Sequence, residues 1–217
     1  MKSDYKIIAI VVIVSIVIFG GLIWLMDSSQ TPQDIDESYL IGAAPHEKGA
    51  SEEEAILTIV EFSDFQCPAC QAAEPIINDF VEAHKDEVRV IYRHFPLVSI
   101  HLNAREAAIA SEVAAESGLF WDYHDLLFDK QTEWGSVTDP TDLFLDYAES
   151  LDLDREEFAK KLEVDTYMLE VREYQNVTLD LNLTSTPTFF FNGKLHRGVP
   201  SMDTLTDALA EAQEAAS

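Results

Sequence analysis

Cysteine and basic residues are scarce in this chain of 217 residues. It contains two cysteines, and its 14 lysines and arginines face 40 aspartates and glutamates. The formal net charge of −26 argues against a nucleic-acid-binding protein, because contact with phosphates needs basic side chains. Two interpretations of the acidity remain: a solvated surface that keeps the protein soluble, or a saline habitat in which salt screens the repulsion.

The sequence also lacks a second cysteine pair and any His-x₃₋₅-His spacing. Both absences argue against a zinc site built on Cys67 and Cys70, since such a site needs further ligands. We therefore expect no cofactor and no metal. A structural disulfide is a weak alternative, because a four-residue ring constrains the unfolded chain very little. Unreactive thiols are a second alternative.

The most informative segment is Cys67-Pro68-Ala69-Cys70. An apolar, β-branched run over residues 56–62 predicts a buried strand before it, and helical spacing over residues 71–84 predicts a helix after it. Cys-x-x-Cys at such a junction is typical of a thiol–disulfide redox site.

The same spacing predicts different roles for the two sulfurs. If Cys67 caps the helix, its sulfur faces free N–H groups and the positive end of the helix dipole. We therefore predict a pKa below 7 for Cys67, in the range of about 4–6.5. Cys70 lies one turn further on, and we expect it to be more buried and to titrate much higher. Cys67 is the predicted attacking sulfur and Cys70 the resolving one.

Residues 7–26 carry no charge and are long enough, at about 1.5 Å per residue, to cross a bilayer of ~30 Å. They predict an uncleaved transmembrane anchor; a cleaved signal peptide is the alternative, although no A-x-A pattern follows. No cysteine lies near the end of this segment, which excludes a lipoprotein anchor. Because Lys2 and Lys6 precede it, we place residues 1–6 in the cytoplasm and the rest outside. We therefore predict a single-pass protein of the cell membrane. Its catalytic domain lies outside the cytoplasm, in a compartment where disulfides persist.

Two further segments follow the predicted anchor. Residues 27–51 are polar and acidic and predict a linker, with one short strand at residues 39–41. Residues 52–217 suit one domain with a core of its own. In this domain Asn192-Gly193 predicts a hairpin turn and Ser201 predicts the cap of a last helix. Between the second strand, residues 88–93, and the strand at residues 188–191, five helical patterns follow one another, over residues 102–117, 119–130, 140–151, 154–163 and 166–181.

Four stretches of the chain match a known family in order and spacing. They are residues 58–70, with Cys67 to Cys70; residues 93–97, Arg-His-Phe-Pro-Leu; residues 120–124, Phe-Trp-Asp-Tyr-His; and residues 184–193, with Thr186-Pro187-Thr188-Phe189. On these stretches the chain resembles, over residues 55–215, thioredoxin-fold thiol:disulfide oxidoreductases of the DsbA/BdbD type. The resemblance implies an α/β thioredoxin fold with an inserted helical subdomain at about residues 100–182.

The resemblance also implies roles for three other residues. Pro187 is expected to be cis and to face the disulfide, which turns the backbone of Thr186 toward a bound peptide; a proline that merely opens a strand is the alternative. Glu61 is expected to relay protons to buried Cys70, unless it is an acid at the strand surface that faces water. For His94, His101 and His124 we expect packing and helix-end hydrogen bonds.

The implied function is a membrane-anchored oxidase that introduces disulfides into exported proteins. A membrane quinone reductase of the DsbB or VKOR type is the implied partner that would reoxidise it. Ala69 stands where DsbA has a histidine that holds the thiolate, so the expected potential lies between about −120 and −270 mV. This range leaves open a reductase or isomerase in the same compartment, or a non-enzymatic chaperone or assembly module.

Overall fold

Five strands form a single sheet in the computed structural model, which describes residues 37–42 and 46–217. The order across the sheet is β1-β3-β2-β4-β5. Only the pair β2 and β3 is parallel, and the other neighbours are antiparallel. The strands are β1 (His46–Gly49), β2 (Leu57–Ser63), β3 (Val88–His94), β4 (Thr188–Phe191) and β5 (Lys194–Arg197).

The central strands are buried along their whole length, because helices cover both faces of the sheet. The helices are α1 (Glu37–Ile41), α2 (Pro68–Ala83), α3 (Ala104–Ala115), α4 (Phe120–Asp129), α5 (Gln131–Trp134), α6 (Thr141–Ser150), α7 (Arg155–Leu162), α8 (Asp165–Asp180) and α9 (Met202–Ala215). Helix α2 is the crossover between β2 and β3, which a parallel strand pair requires.

Two apolar clusters flank the sheet. The first joins α2 and α9 to the sheet through side chains such as Ile77, Phe189 and Leu205. The second joins the N-terminal turn of α2 to α3–α8, and it contains both cysteines together with Phe65 and Trp134. The cysteines therefore lie where the sheet meets the helical insertion.

Several predicted elements are confirmed within one or two residues. Asn192 and Gly193, with φ of 45° and 78°, form the turn between β4 and β5. The Ser201 hydroxyl caps α9 by accepting the Thr204 N–H at 3.1 Å. The five helical patterns become α3, α4, α6, α7 and α8, while α5 was not predicted.

The strand predicted at residues 39–41 is wrong, since these residues belong to α1 and Leu40 is fully buried. Three consecutive apolar residues fit one helical turn as well as a short strand. The segment interpreted as a linker also contributes β1, which pairs with β3. Its three polar residues and Gly49 join the sheet edge through backbone hydrogen bonds. At Gly49, with φ of 92°, a Cβ atom would lie 2.2 Å from the Val88 carbonyl oxygen.

None of the helices within residues 37–42 and 46–217 is long and apolar enough to cross a membrane. The predicted anchor at residues 7–26 lies outside the described residues.

Candidate active site

The active-site turn connects β2 to α2 and places Cys67 at the N-terminus of the helix. Cys67 is the N-cap residue, with extended backbone angles, and Pro68 is the first helical residue, as predicted. The Cys67 N–H donates to the Asp64 carbonyl oxygen at 3.0 Å. This turn places Cys67 where the N–H groups of Ala69 and Cys70, in the first turn of α2, act on its sulfur.

Asp64 fixes the shape of this turn from inside the protein. Its buried carboxylate accepts the Gln66 N–H at 2.7 Å, the Leu97 N–H at 2.8 Å and the His101 Nδ1 at 2.7 Å. Three donors therefore offset the charge of an acid that lies only three residues before Cys67. They also tie the loop at Leu97–His101 to the active site.

Cys67 keeps 7% of its surface exposed, and its pKa is lowered to about 5, within the predicted range. The Cys70 thiol lowers this pKa most by donating to the Cys67 sulfur, while burial acts in the opposite direction. The Thr186 side chain and the N–H groups of Cys70 and Ala69 lower it further. In its protonated form the Cys67 thiol donates to the Thr186 carbonyl oxygen at 3.6 Å.

Cys70 is fully buried, and its pKa is raised well above the ordinary value. Burial is the main cause, followed by its hydrogen bond to Cys67 and by the negative charges of Cys67 and Glu61. The Asp64 N–H points at the Cys70 sulfur at 3.5 Å. A thiolate beside a protonated thiol is the arrangement that thiol–disulfide exchange requires.

Thr186 and Pro187 form the loop that faces the attacking sulfur. The peptide bond between them is cis, and both residues are buried. Strand β4 begins at the next residue, so the proline also opens a strand. The structure thus brings Cys67, Cys70, Thr186 and Pro187 together, although more than one hundred residues separate the two pairs.

Glu61 is buried with 2% of its surface exposed, so the alternative of an acid facing water is wrong. The reason is its position in β2, the central strand, which is covered on both faces. Its pKa is raised to about 8, first by burial and then by the charge of Glu74. Its Oε1 atom has no hydrogen-bond partner among the described residues.

Sequence reasoning missed Glu74 and Lys48, an ion pair whose charges act on Glu61. Glu74 lies in α2 one turn after Cys70 and is buried, with Lys48 Nζ at 3.6 Å and His124 Nε2 at 3.7 Å. Its sequence signal is weak but present, because it follows Ala73 on the apolar side of α2. Lys48 comes from β1, which no pattern predicted.

Three glutamines join the active-site turn to the helical insertion, and sequence reasoning missed them too. Gln131 Nε2 donates to the carbonyl oxygens of Phe65 and Cys67 at 2.8 and 3.0 Å. Gln66 Nε2 donates to the Gly135 carbonyl at 2.6 Å, and Gln71 Nε2 to the Phe128 carbonyl at 2.7 Å. A buried carbonyl without a donor costs about 1–3 kcal/mol, so these amides stabilise the turn.

The three predicted histidines bind carboxylates. His101 pairs with Asp64, as described, and His124 Nδ1 lies 2.9 Å from Asp125. His94 lies 2.9 Å from Glu112 in α3. These contacts agree with the expected packing and hydrogen-bonding roles.

A family model described as Thioredoxin matches residues 49–211. The chain is 39% identical over 159 residues to a protein named Na(+)/H(+) antiporter NhaA 3 from Salinispora tropica, a match that covers 73% of this chain and 24% of that protein. A thioredoxin-like oxidoreductase from Silicibacter pomeroyi superposes with a TM-score of 0.69 and 23% identity, over 82% of this chain and 98% of that one. Oxidised BdbD from Bacillus subtilis gives a TM-score of 0.67 and 25% identity, over 78% and 93%.

These matches confirm the predicted thioredoxin-like α/β fold with a helical insertion. The chain spans about a quarter of the length of the curated relatives it matches. The antiporter name therefore describes proteins in which the matched region is a minor part.

Proposed function

The chain belongs to the thioredoxin family and has a DsbA-like fold, and from this premise we propose that it is a thiol:disulfide oxidoreductase. It is anchored in the cell membrane by residues 7–26, with residues 52–217 outside the cytoplasm. There it introduces disulfides into exported proteins. The observation that carries the proposal is the pairing of a Cys67 thiol with a pKa of about 5 and a buried, protonated Cys70.

The reaction begins with the Cys67–Cys70 disulfide. A substrate thiolate attacks the Cys67 sulfur, the disulfide breaks, and Cys70 leaves with the electron pair and takes up a proton. A second substrate thiolate then attacks the substrate sulfur of the mixed disulfide and releases Cys67 as a thiolate. The substrate loses two electrons and gains a disulfide, while the pair on the enzyme is reduced. The low pKa of Cys67 makes it a good leaving group in the second step.

Glu61 supplies the proton that Cys70 takes up. With a pKa of about 8 its carboxyl carries a proton at neutral pH, and it is close enough for its charge to raise the pKa of Cys70. When the pair is reoxidised, the same carboxylate accepts the proton from Cys70. Glu61 thus acts as a buried acid and base in the two directions of the reaction.

Substrates bind in an extended form across the loop at Thr186 and Pro187. The carbonyl of Thr186 lies beside Cys67 and can pair with a peptide backbone, as an added strand does. Ile100 and Leu102 flank His101, which binds the active-site turn, and their side chains are 67% and 80% exposed. These apolar side chains suit unfolded substrates, which expose apolar segments of their own.

A membrane quinone reductase of the DsbB or VKOR type reoxidises the dithiol in this proposal. Its support is the resemblance to DsbA-type proteins and the uncharged segment at residues 7–26, which would hold the domain beside a membrane partner.

Ala69 is the observation that favours a second function. It offers no charged donor to the Cys67 thiolate, and a less stabilised thiolate gives a more reducing dithiol. A reductase or isomerase in the same compartment is therefore the alternative. A thioredoxin-fold chaperone without turnover is the non-enzymatic one.

Equilibration of the full chain with glutathione buffers separates these functions. We expect a potential above about −180 mV, whereas a value below about −230 mV would assign a reductase. Failure to titrate would assign the non-enzymatic module. In parallel, Cys67→Ala should abolish oxidation of a reduced protein substrate, and retention of full activity would overturn the proposal.

A further inference from the structure

His46, His94 and Glu112 converge on one point although they come from β1, β3 and α3. The Nε2 atoms of both histidines lie 2.9 Å from the same atom, Glu112 Oε1. All three donor atoms lie within 4.8 Å of one another. Two imidazoles that share one carboxylate oxygen form a compact set of ligand atoms of the kinds that zinc and related metals take.

The distances suit a metal ion after a small adjustment. Zinc bonds to imidazole nitrogen and carboxylate oxygen measure about 2.0–2.2 Å, which places the ligand atoms of a tetrahedral site roughly 3.3–3.5 Å apart. Each nitrogen-to-oxygen contact would lengthen by about 0.5 Å as the metal entered between the atoms. The two imidazoles would then carry their protons on Nδ1 and present Nε2 to the metal.

Packing holds the two rings in place. The His46 ring stacks on Phe120 with a centroid distance of 3.6 Å and an interplanar angle of 2°. The His94 ring is 1% exposed and meets Tyr92 and Tyr174 edge-on, at 5.3 and 5.2 Å. Ligands held on strands in this way lose little freedom when they bind a metal.

Two of the three ligands, His46 and Glu112, line a cavity of about 720 Å³, which gives an ion a path of entry and room for a water ligand. Glu170 and Glu173 of α8 also line this cavity and favour a cation. The nearby positive group, Arg93, is engaged elsewhere, because it donates to the Ile41 carbonyl and lies over the Tyr174 ring at 4.6 Å.

We propose that His46, His94 and Glu112 bind a divalent transition-metal ion at the junction between the sheet and the helical insertion. Two imidazoles and one carboxylate favour zinc and its neighbours over calcium, which prefers oxygen ligands alone. The bound ion would join the edge strand β1 and the strand β3 to helix α3. This role does not depend on the redox chemistry proposed above, because none of the ligands belongs to the redox site.

Sequence spacing did not point to this site. The absence of a His-x₃₋₅-His motif argues against ligands on one local segment, but here the three ligands are separated by 48 and 18 residues and meet only in the fold. Glu112 does carry a faint signal, as a buried acid in an alanine-rich helix.

The test is thermal unfolding of the detergent-solubilised full chain, purified without a histidine tag and kept in the disulfide form. The disulfide removes Cys67 and Cys70 as competing zinc ligands. At Zn²⁺ one hundred times its Kd we expect a rise in Tm of about 5–10 °C, and Ca²⁺ at the same concentration should give no rise. Co²⁺ should give the visible absorption bands of a four- or five-coordinate site.

His46→Gln and His84→Gln form the matched pair of variants. His84 also binds a carboxylate, Glu87 at 3.0 Å, but it belongs to no three-ligand cluster in the described ranges. His46→Gln should weaken Zn²⁺ binding by at least about 10- to 100-fold, the loss typical of an outer-shell mutation, whereas His84→Gln should match the parent chain.

Two results of the unfolding experiment would overturn the proposal. One is a parent chain whose Tm does not respond to Zn²⁺, and the other is an equal response in His46→Gln, which would place the ion elsewhere, for instance at Glu74, His124 and Asp125. If His46→Gln does not fold, X-ray absorption of the zinc-loaded parent decides. Two imidazole ligands per zinc support the site, and one or none rejects it.

Discussion

Cys67 and Cys70 lie one helical turn apart, yet their surroundings have opposite effects on a proton. Around Cys67 the groups are hydrogen-bond donors at a helix terminus, and the pKa is lowered to about 5. Around Cys70, burial and the negative charges of Cys67 and Glu61 outweigh the few hydrogen-bond donors, and its pKa is raised well above the ordinary value. The site therefore stabilises a negative charge on Cys67 and a proton on Cys70.

The causes of the low pKa of Cys67 are groups at hydrogen-bond distance, and the acidic surface is not among them. A chain with 40 acidic residues disfavours a further negative charge, but most of that charge is solvated and screened beyond ~8–10 Å. The donors around Cys67 touch the sulfur itself. Asp64, three residues before Cys67 in the sequence, accepts hydrogen bonds from three donors of its own.

Replacing each cysteine in turn with serine should give the largest difference, because each variant leaves one of the two sulfurs to be measured alone. In Cys70→Ser the remaining Cys67 is ionised at neutral pH, and it should react rapidly with iodoacetamide. In Cys67→Ser the remaining Cys70 is buried and protonated, and we expect alkylation about 100-fold slower or more. Mass spectrometry of timed samples measures both rates. Equal rates would mean that the two environments do not differ as described.

A companion variant identifies the cause of the low pKa. Cys70→Ala removes the donor that contributes most to it, whereas the serine hydroxyl retains a donor. The pKa of Cys67, followed by thiolate absorbance, should therefore rise in Cys70→Ala and stay near its parent value in Cys70→Ser.

Glu61→Gln should have the next largest effect, on both rate and stability. Without a proton relay the step in which Cys70 leaves should slow by about 10²-fold, at the low end of general acid–base contributions. Stopped-flow fluorescence of the reduction step measures this rate. Glu82→Gln, at an 80%-exposed side chain of the same helix as the cysteines, is the control and should react normally.

The stability effect of Glu61 has a defined sign. Its pKa is raised from the ordinary value of 4.5 to about 8, so the folded protein holds this proton more tightly than the unfolded chain. Its contribution is complete below pH 4.5 and is lost as pH rises through 8. Relative to the parent, Glu61→Gln should therefore gain stability between these values, on the order of a few kcal/mol at most. Urea unfolding at several pH values would show a constant difference if Glu61 were not responsible.

Ala69→His should have the smallest effect, and it tests how a further donor near Cys67 changes the redox potential. A charged donor beside the Cys67 thiolate stabilises the reduced form, so we expect the potential to rise by about 30–60 mV. That change corresponds to roughly 10- to 100-fold in the equilibrium with glutathione. Ala69→Gln adds bulk without charge and should shift the potential less. A fall in potential in Ala69→His would contradict the role given to helix-terminal donors.

The parts of the fold that could be predicted from the sequence are those encoded by adjacent residues. The strand, the turn and the helix around Cys67 follow one another directly, so the helix cap, the position of Pro68 and the order of the two pKa values could be inferred. The hairpin at Asn192 and the Ser201 cap were local in the same way. The pairing of this segment with Thr186 and Pro187 came from a family resemblance.

What could not be predicted depends on partners distant in sequence. β1 carries no apolar alternation, because its contribution to the sheet comes from the backbone. Glu61 fitted two patterns, a surface acid or a buried one, and only its central position in the sheet decides between them. Gln131 and Glu112 bind groups 64 and 18 residues away, in elements whose packing no periodicity describes.

The hydrogen bonds that the Gln131 side-chain amide donates to the carbonyl oxygens of Phe65 and Cys67 extend the redox motif beyond its four residues. In sequence it has four residues, but as a rigid unit it includes a helix of the insertion. The four residues therefore do not carry the whole arrangement. Grafted onto a scaffold without α5, they would keep both thiols but lose the hydrogen bonds that hold the turn at Cys67. The insertion and the motif therefore form one structural unit.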